Sequence, residues 1–429
     1  MTHKTFKKIC ILQISILLIS FSPVRTQVKE LNQLVYNKQF TELETALAST
    51  KLSPDQRLIY KAFLMSAFNQ PAQSNQLIKS ILDKNILKGD DTLRYHLLKS
   101  AYDNFIQLNN YSAAYHASEA LIENYLWLMD STDLTNRKEE IKIYRPLQSV
   151  EPQSAIKQGS SEIPIKLDLA GLINIPVQIA DSSYFFVFDT GANMSTITQS
   201  WAKRLGLAIL PDASITVEAG LTGINTVAQL GIAKELHIGN VIIQNTVFLI
   251  FPDSALTFAG GAYKINGIIG LPVIKALDEI SFTKTTLTIP AEAGINQQKH
   301  NLAIHEFSLL IYLNYLGQSL PFTFDTGAQE SLFSRNFYTR YKNNLDSAST
   351  ASQLTIGGAG GSKNLSTVKA SNIDLKLNGL PVHFPDSHVT LDASPVSSKF
   401  YFGNLGLDLV HQFKKFTINF SKAYIVTEN

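Results

Sequence analysis

The sequence has almost no cysteine, because Cys10 is the only one among 429 residues. This excludes a disulfide-stapled scaffold, and it also excludes a cysteine-ligated zinc site or thiol catalysis downstream of residue 10. Charged residues are scarce as well, at 17% against 45% hydrophobic residues, and the formal net charge is +2. Four cations lie before residue 28, where no acidic residue occurs, so the rest of the chain has no basic excess. A globular protein is expected, and nucleic acid is not among its expected partners.

The N-terminus has the pattern of a secretory signal peptide. Lys4, Lys7 and Lys8 precede an apolar run from Ile9 to Phe21. A helix of that length is too short to span a bilayer. We predict a signal peptide over residues 1–27 and export to the periplasm or the extracellular space. An uncleaved N-terminal membrane anchor is the alternative, and no other membrane contact is predicted.

Residues 28–147 are predicted to form a helical domain. Apolar residues recur every three or four positions, as in the segment from Leu97 to Leu108, which is typical of helices with one buried face. Second helices are predicted to start at Phe40, Pro71 and Tyr111. The paired helices resemble a tetratricopeptide repeat (TPR), although the spacings between these starts are irregular. A helical cap packed on the next domain is the alternative, and any protein partner is expected to contact this domain.

The pattern changes to alternating and β-branched residues after a polar linker at residues 148–162. A second polar break at residues 291–302 divides the β region into two parts of similar length, residues 163–290 and 303–429. Strands are predicted throughout both parts.

The two parts of the β region repeat the same motifs in the same order. Phe188-Asp189-Thr190-Gly191-Ala192 of the first part recurs in the second as Phe324-Asp325-Thr326-Gly327-Ala328. Gly267-Ile268-Ile269-Gly270-Leu271 recurs at the same offset as Gly403-Asn404-Leu405-Gly406-Leu407. A single Asp-Thr-Gly is weak evidence, since an Asp that ends a strand often only caps a turn. Two copies within a duplicated pattern predict a duplicated fold with one aspartate in each half.

This constellation resembles the aspartic peptidases, and among them the retropepsin-like group, over about residues 163–427. The resemblance implies a mainly β fold, with two pseudo-symmetric closed β-barrel halves behind the TPR-like helical domain. Ala192 and Ala328 after the glycines look like the retroviral-type motif, whereas pepsin-type enzymes usually have Ser or Thr there. Asn404 departs from the family pattern because it replaces an apolar residue, so it either loosens that half or needs a buried partner.

The resemblance also implies roles for the residues of the two turns. The catalytic dyad would be Asp189 and Asp325. The turns would be supported by Thr190 and Thr326, which hydrogen-bond across the pseudo-twofold axis, and by Gly191 and Gly327, which allow tight turns.

The chemistry of a carboxyl pair agrees with such an assignment. Two carboxyls about 3 Å apart cannot both ionise readily, so they hold one proton between them over a wide pH range. The ionised member can activate a water as general base, and the protonated member can donate to the substrate carbonyl. No cofactor or metal is required. The expected partner is a peptide or protein substrate, and the expected active unit is a monomer.

Glycine-rich segments after each turn predict flaps that bind substrate. The candidate flap glycines are Gly220 and Gly223 in the first half and Gly357, Gly358, Gly360 and Gly361 in the second. A glycine-rich hairpin tip can move and offer backbone N–H groups to an extended peptide. An ordinary tight hairpin is the alternative.

The sequence therefore predicts an exported, single-chain aspartic endopeptidase. A catalytically inactive peptide-binding module that keeps the cleft is the main alternative. A glycosidase is a distant third, since matched turns would hold the carboxyls closer than the ~5 Å or more that glycosidases need.

Overall fold

The computed structural model describes residues 23–211, 215–219, 224–294, 299–345, 350–358, 361–392 and 400–429. It is mainly β, with several sheets and an N-terminal helical region, as predicted. Most of the predicted signal peptide, residues 1–22, lies outside the described residues, so that prediction is not tested by the structure. Within the described part of the chain, no helix combines the length and the apolar character needed to cross a membrane.

The helical region contains seven α-helices in its described residues, and side-chain caps mark the starts of several of them. Ser53 caps the third helix by accepting a hydrogen bond from Gln56 N, and Asp90 and Asn110 cap the fifth and sixth in the same way. Three helices begin at the predicted residues Phe40, Pro71 and Tyr111. The helices are α1 Pro23–Tyr36, α2 Phe40–Ser49, α3 Pro54–Ala67, α4 Pro71–Asp83, α5 Asp91–Gln107, α6 Tyr111–Tyr125 and α7 Ser131–Leu147.

The remainder of the described chain consists mainly of strands, with four short α-helices. The first part contains β1 Ser154–Lys157, β2 Ser161–Pro164, β3 Lys166–Leu167, β4 Ile173–Ile179, β5 Ser182–Phe188, β6 Ser195–Thr198, α8 Gln199–Arg204, β7 Ala208–Ile209, β8 Ile215–Ala219, β9 Ile224–Ile238, β10 Val241–Phe251, β11 Thr257–Phe258, β12 Tyr263–Lys264, β13 Gly267–Ile269, α9 Leu271–Ala276, β14 Glu279–Phe282 and β15 Thr286–Ile289. The second part contains β16 Leu302–His305, β17 Ser308–Tyr315, β18 Gln318–Phe324, β19 Leu332–Phe333, α10 Arg335–Tyr341, β20 Ala351–Gly358, β21 Gly361–Leu377, β22 Leu380–Thr390, β23 Gly403–Leu405, α11 Leu407–Val410, β24 Lys415–Asn419 and β25 Tyr424–Glu428.

Each part of the β region has one large sheet, and in both sheets the strand pairing returns to its starting strand. In the first, the order β10-β6-β13-β5-β4-β9 returns to β10. In the second, β17-β18-β23-β19-β22-β21 returns to β17. Both orders place the strand before the Asp-Thr-Gly turn, β5 or β18, parallel to a short strand from the glycine motif, β13 or β23.

A third sheet joins the two parts, in the order β2-β15-β14-β24-β25. Its central pair is antiparallel and aligns Ile280 with Ile418. The hydroxyls of Ser281 and Thr417 hydrogen-bond across the same pair at 2.8 Å. The two parts are therefore connected by continuous backbone pairing.

The segment at residues 148–162 was predicted to be a linker, but it contains β1 and the start of β2. Ser154–Lys157 pairs antiparallel with β10, although its side chains are mostly exposed. Backbone pairing with an existing sheet edge needs no apolar alternation in the added strand. The periodicity of the sequence therefore gives no sign of it.

The helices share apolar cores with the β region. One buried cluster joins residues of α1–α5 to β16 and β17, and another joins α5–α7 to β8, β9 and β10. The hydroxyl of Tyr312 in β17 donates to Lys38 O at 2.8 Å and accepts from Phe40 N at 3.4 Å. The amine of Lys275 in α9 donates to Gln107 O at 2.9 Å. These contacts fix the helical region against both large sheets.

Candidate active site

The two Asp-Thr-Gly turns lie at the ends of β5 and β18 and have matching backbone support. Asp189 N donates to Ile269 O at 3.0 Å, and Asp325 N donates to Leu405 O at 2.9 Å. Each aspartate therefore follows an apolar strand and is tied at its own amide to the short strand beside it.

The two threonines connect the turns by four hydrogen bonds. Thr190 N donates to Thr326 Oγ1 at 3.0 Å, and Thr326 N donates to Thr190 Oγ1 at 3.0 Å. The hydroxyl of Thr190 donates to Phe324 O at 3.0 Å, and that of Thr326 donates to Phe188 O at 2.6 Å. Both threonines are fully buried. Since each hydroxyl accepts one bond and donates another, the two turns are held in one fixed relative position.

This arrangement places the carboxyls of Asp189 and Asp325 side by side, each against the glycine of the opposite turn. Oδ1 of each accepts a backbone N–H two residues on, from Gly191 or Gly327, at 2.8 Å in both cases. Ala192 N also donates to Oδ1 of Asp189 at 3.1 Å. Both aspartates are half-buried, where the two parts of the β region meet.

The glycine after each threonine is required by the closeness of the opposite carboxyl. A Cβ added to Gly191 would lie 2.4 Å from Cγ of Asp325, and one added to Gly327 would lie 2.5 Å from Cγ of Asp189. No side chain fits at either position without moving a carboxyl, so the glycines serve a steric purpose here.

The surroundings disfavour ionisation of Asp189. Burial and the neighbouring Asp325 carboxyl, through its charge and its hydrogen bond, raise the pKa of Asp189 well above its ordinary value. The backbone N–H groups of Gly191 and Ala192 act in the opposite direction without cancelling the effect. A pair in which one carboxyl keeps its proton can supply one base and one acid at the same site.

Two serines, one shortly after each turn, hydrogen-bond to the glycine motif of the same half. The hydroxyl of Ser195 accepts from Gly270 N at 3.1 Å, and that of Ser331 accepts from Gly406 N at 3.0 Å. The sequence analysis did not single out these serines. They are separated by the same offset as the two Asp-Thr-Gly motifs, so the repeat would have identified them.

Asn404 has the buried partners that its unusual position requires. Its Nδ2 donates to Oδ2 of Asp325 at 3.1 Å, and its Oδ1 accepts from the hydroxyl of Thr323 at 2.6 Å. The first of these partners is a dyad residue, which the sequence could not indicate.

The predicted flaps fall only partly on described residues. Gly220, Gly223 and Gly360 lie outside the described residues. Gly357 pairs with Ser362, and Gly358 pairs with Gly361, at the end of the β20–β21 hairpin. A Cβ on Gly361 would lie 3.1 Å from Cδ1 of Ile224, the first residue of β9. The β20–β21 hairpin of the second half therefore approaches β9 of the first half. Among the described residues, no group of three or more His, Cys, Asp or Glu is arranged to hold a metal ion.

Comparison with known proteins supports a peptidase-like region. The sequence profile of a family described as aspartyl protease matches residues 175–273, which include Asp189 and the first glycine motif. This segment is therefore aspartic peptidase-like. No curated protein matches the chain.

Two solved structures are similar in part. Conglutin gamma, a basic 7S globulin from lupine seeds, has 10% identity and a TM-score of 0.40, covering 63% of this chain and 95% of its own. Basic 7S globulin from soybean has 12% identity and a TM-score of 0.39, covering 63% of this chain and 94% of its own.

Proposed function

We propose that the protein is an aspartic endopeptidase whose dyad is Asp189 and Asp325. One observation carries the proposal: matched turns from the two parts of the β region, tied by crossed threonine hydrogen bonds, place these carboxyls side by side. The peptidase-like region at residues 175–273 supports the same conclusion for the first turn.

In the proposed reaction, a water lies between the two carboxyls. The ionised carboxyl takes a proton from the water as its oxygen bonds to the peptide carbonyl carbon. The protonated carboxyl gives its proton to the carbonyl oxygen, whose π electrons become the new O–H bond. As the tetrahedral species collapses and the C–N bond breaks, the carboxyl that took the water's proton gives it to the leaving nitrogen. One hydroxyl of the tetrahedral carbon returns its proton to the other carboxylate as the new C=O bond forms. The dyad ends with one proton, as it began, and no covalent enzyme intermediate forms.

We also propose that the β region consists of two pseudo-symmetric barrel halves within one chain. The closed pairing of each large sheet and the central β14–β24 pair support this architecture. One chain then supplies both aspartates, and a monomer is a complete active unit. The contact between the carboxyls argues against a glycosidase, which needs ~5 Å or more between them.

The N-terminal basic and apolar segment supports a further proposal, that the protein is exported to the periplasm or the extracellular space. Fractionation of cells that express the full chain tests it. Recovery of a shortened protein outside the cytoplasm is expected, and a full-length cytoplasmic protein would contradict it.

The decisive experiment for the peptidase function separates hydrolysis from binding. The full chain is incubated with a peptide library from about pH 3 to pH 7, and products are identified by mass spectrometry. Peptide binding is measured in parallel by fluorescence anisotropy. Internal cleavage is expected in the acid part of the range, where one carboxyl keeps its proton. Peptide binding without cleavage at any pH would instead identify a binding module that keeps the cleft.

A further inference from the structure

The two parts of the β region differ at one pair of positions directly behind the dyad. In the first, Val187 of β5 lies beside Ile268 of β13. In the second, the equivalent neighbours in β18 and β23 are Thr323 and Asn404. The first half therefore has an apolar pair where the second half has a polar pair, and the strands of the two halves are paired in the same register.

The polar pair forms a chain of hydrogen bonds that ends on one carboxyl only. The hydroxyl of Thr323 donates its one proton to Asn404 Oδ1 at 2.6 Å, and Gly403 O is a more distant acceptor at 3.2 Å. Asn404 Nδ2 donates to Asp325 Oδ2 at 3.1 Å. Thr323 is 8% exposed and Asn404 is 9% exposed. A buried amide costs free energy unless it is hydrogen-bonded. The threonine thus holds the Asn404 amide with its N–H group toward Asp325.

The two carboxyls consequently receive different sets of donors. Asp325 accepts Gly327 N on Oδ1 and Asn404 Nδ2 on Oδ2, so both of its oxygens have an N–H donor. Asp189 accepts two backbone N–H groups, and both reach Oδ1. The described residues supply no N–H donor to Oδ2 of Asp189. Donors favour the ionised form of a carboxyl, and a donor on the second oxygen also opposes its protonation there.

Three other acidic residues lie near the second turn. Asp189 is the titratable group that faces Asp325 directly. The nearby acidic residues Glu330 and Asp408 interact with each other, and Asp408 accepts two hydrogen bonds from Ser331 at 2.6 and 2.9 Å.

We propose that Asn404 is a positioning residue that keeps Asp325 as the ionised member of the dyad and leaves the shared proton on Asp189. The inference rests on the proposed function and gives its two aspartates separate roles. Asp325 takes the proton from the attacking water, and Asp189 gives its proton to the carbonyl oxygen.

The test removes the donor and follows the titration of the dyad directly. In Asn404→Leu, a residue of similar shape replaces the amide. Carboxyl carbons of the labelled full-length protein are titrated by NMR, and the pH profile of kcat/KM is measured on any peptide that is cleaved. Loss of a hydrogen bond to the ionised Asp325 should raise the lower apparent pKa of the dyad and the acid limb of kcat/KM by about one pH unit. Thr323→Val, which keeps the amide but releases its orientation, should give a smaller shift in the same direction.

A matched control is available in the first half. Asn174 is also 9% exposed, and its Nδ2 donates to Asp168 Oδ2 at 2.9 Å, outside the dyad. Asn174→Leu should lower stability without moving the titration of the dyad. A dyad titration that is unchanged in folded Asn404→Leu would overturn the inference, as would an equal shift in Asn174→Leu. If Asn404→Leu does not fold, an unchanged titration in Thr323→Val overturns it.

The result also distinguishes this inference from the proposed function. A shifted carboxyl titration in a protein that cleaves no peptide would support the role of Asn404 and refute the peptidase. Cleavage with an unmoved acid limb would support the peptidase and refute the role of Asn404.

Discussion

The junction between the two turns should depend on the hydroxyl of Thr326. This residue is fully buried, and its Oγ1 donates to Phe188 O at 2.6 Å and accepts from Thr190 N at 3.0 Å. Thr326→Val keeps the shape but leaves the Thr190 N–H without this acceptor and removes one donor from the Phe188 carbonyl. Each buried group left unsatisfied costs about 1–3 kcal/mol, so two such groups predict a loss of about 2–6 kcal/mol in the free energy of unfolding. That is a large part of the roughly 5–15 kcal/mol typical of folded proteins.

Urea unfolding measured by circular dichroism tests this expectation, with Thr326→Ser as the matched control. Serine keeps the hydroxyl and removes one methyl group, which costs about 1 kcal/mol. Thr326→Val should therefore unfold at clearly lower urea than Thr326→Ser. Equal midpoints for the two variants would refute the claim that the crossed hydrogen bonds hold the turns together.

Two more predictions concern a buried acid and an active-site glycine. Burial raises the pKa of Asp103 to about 8. The folded state therefore keeps a proton that the unfolded chain releases near pH 4. Because of this difference, the free energy of unfolding falls as the pH rises from about 4 to about 8. Asp103→Asn cannot ionise, so its gain in unfolding free energy over wild type should be larger at pH 8 than at pH 5, whereas the exposed Asp83→Asn should change little at either pH. Gly191→Ala would place a Cβ 2.4 Å from Cγ of Asp325, and this displacement of a carboxyl should lower kcat/KM at least tenfold. Gly357→Ala is the steric control, because the space around its Cβ is open. Its unfolding free energy should stay within about 0.5 kcal/mol of wild type. Unfolding curves at pH 5 and pH 8 test the first prediction, and an equal gain for Asp103→Asn at the two pH values would contradict it. Peptide kinetics test the second, and wild-type kinetics for Gly191→Ala would contradict it.

The sequence predicted those features that depend on local or repeated signals. The mainly β fold with an N-terminal helical region is confirmed. The helix starts at Pro71 and Tyr111 follow from a proline and from the Asn110 cap, whereas the start at Phe40 has neither signal. The repeat of the Asp-Thr-Gly motif identified two turns that the structure brings together. The TPR-like character of the helices and the roles of the site residues stay predictions.

Other features depend on contacts that no local pattern records. β1 pairs with β10 through its backbone, so its side chains gave no sign of a strand. The hydroxyl of Ser195 braces Gly270 from a distant part of the sequence, although the repeat contained enough information to find it. A polar residue at position 404 indicated only that some partner was needed. The identity of that partner, Asp325, follows from the alignment of β18 with β23.

The most direct test of the proposed peptidase is the kinetic effect of removing either carboxyl. Asp189→Asn and Asp325→Asn keep the shape of the side chain, so folding should survive, but the remaining carboxyl cannot serve as both base and acid. We expect kcat/KM on the best library peptide to fall at least a thousandfold in each variant, which corresponds to about 4 kcal/mol. Asp374→Asn, at an exposed aspartate paired with His383, should keep wild-type kinetics. Wild-type turnover in a well-folded Asp189→Asn or Asp325→Asn protein would contradict the assignment of the dyad.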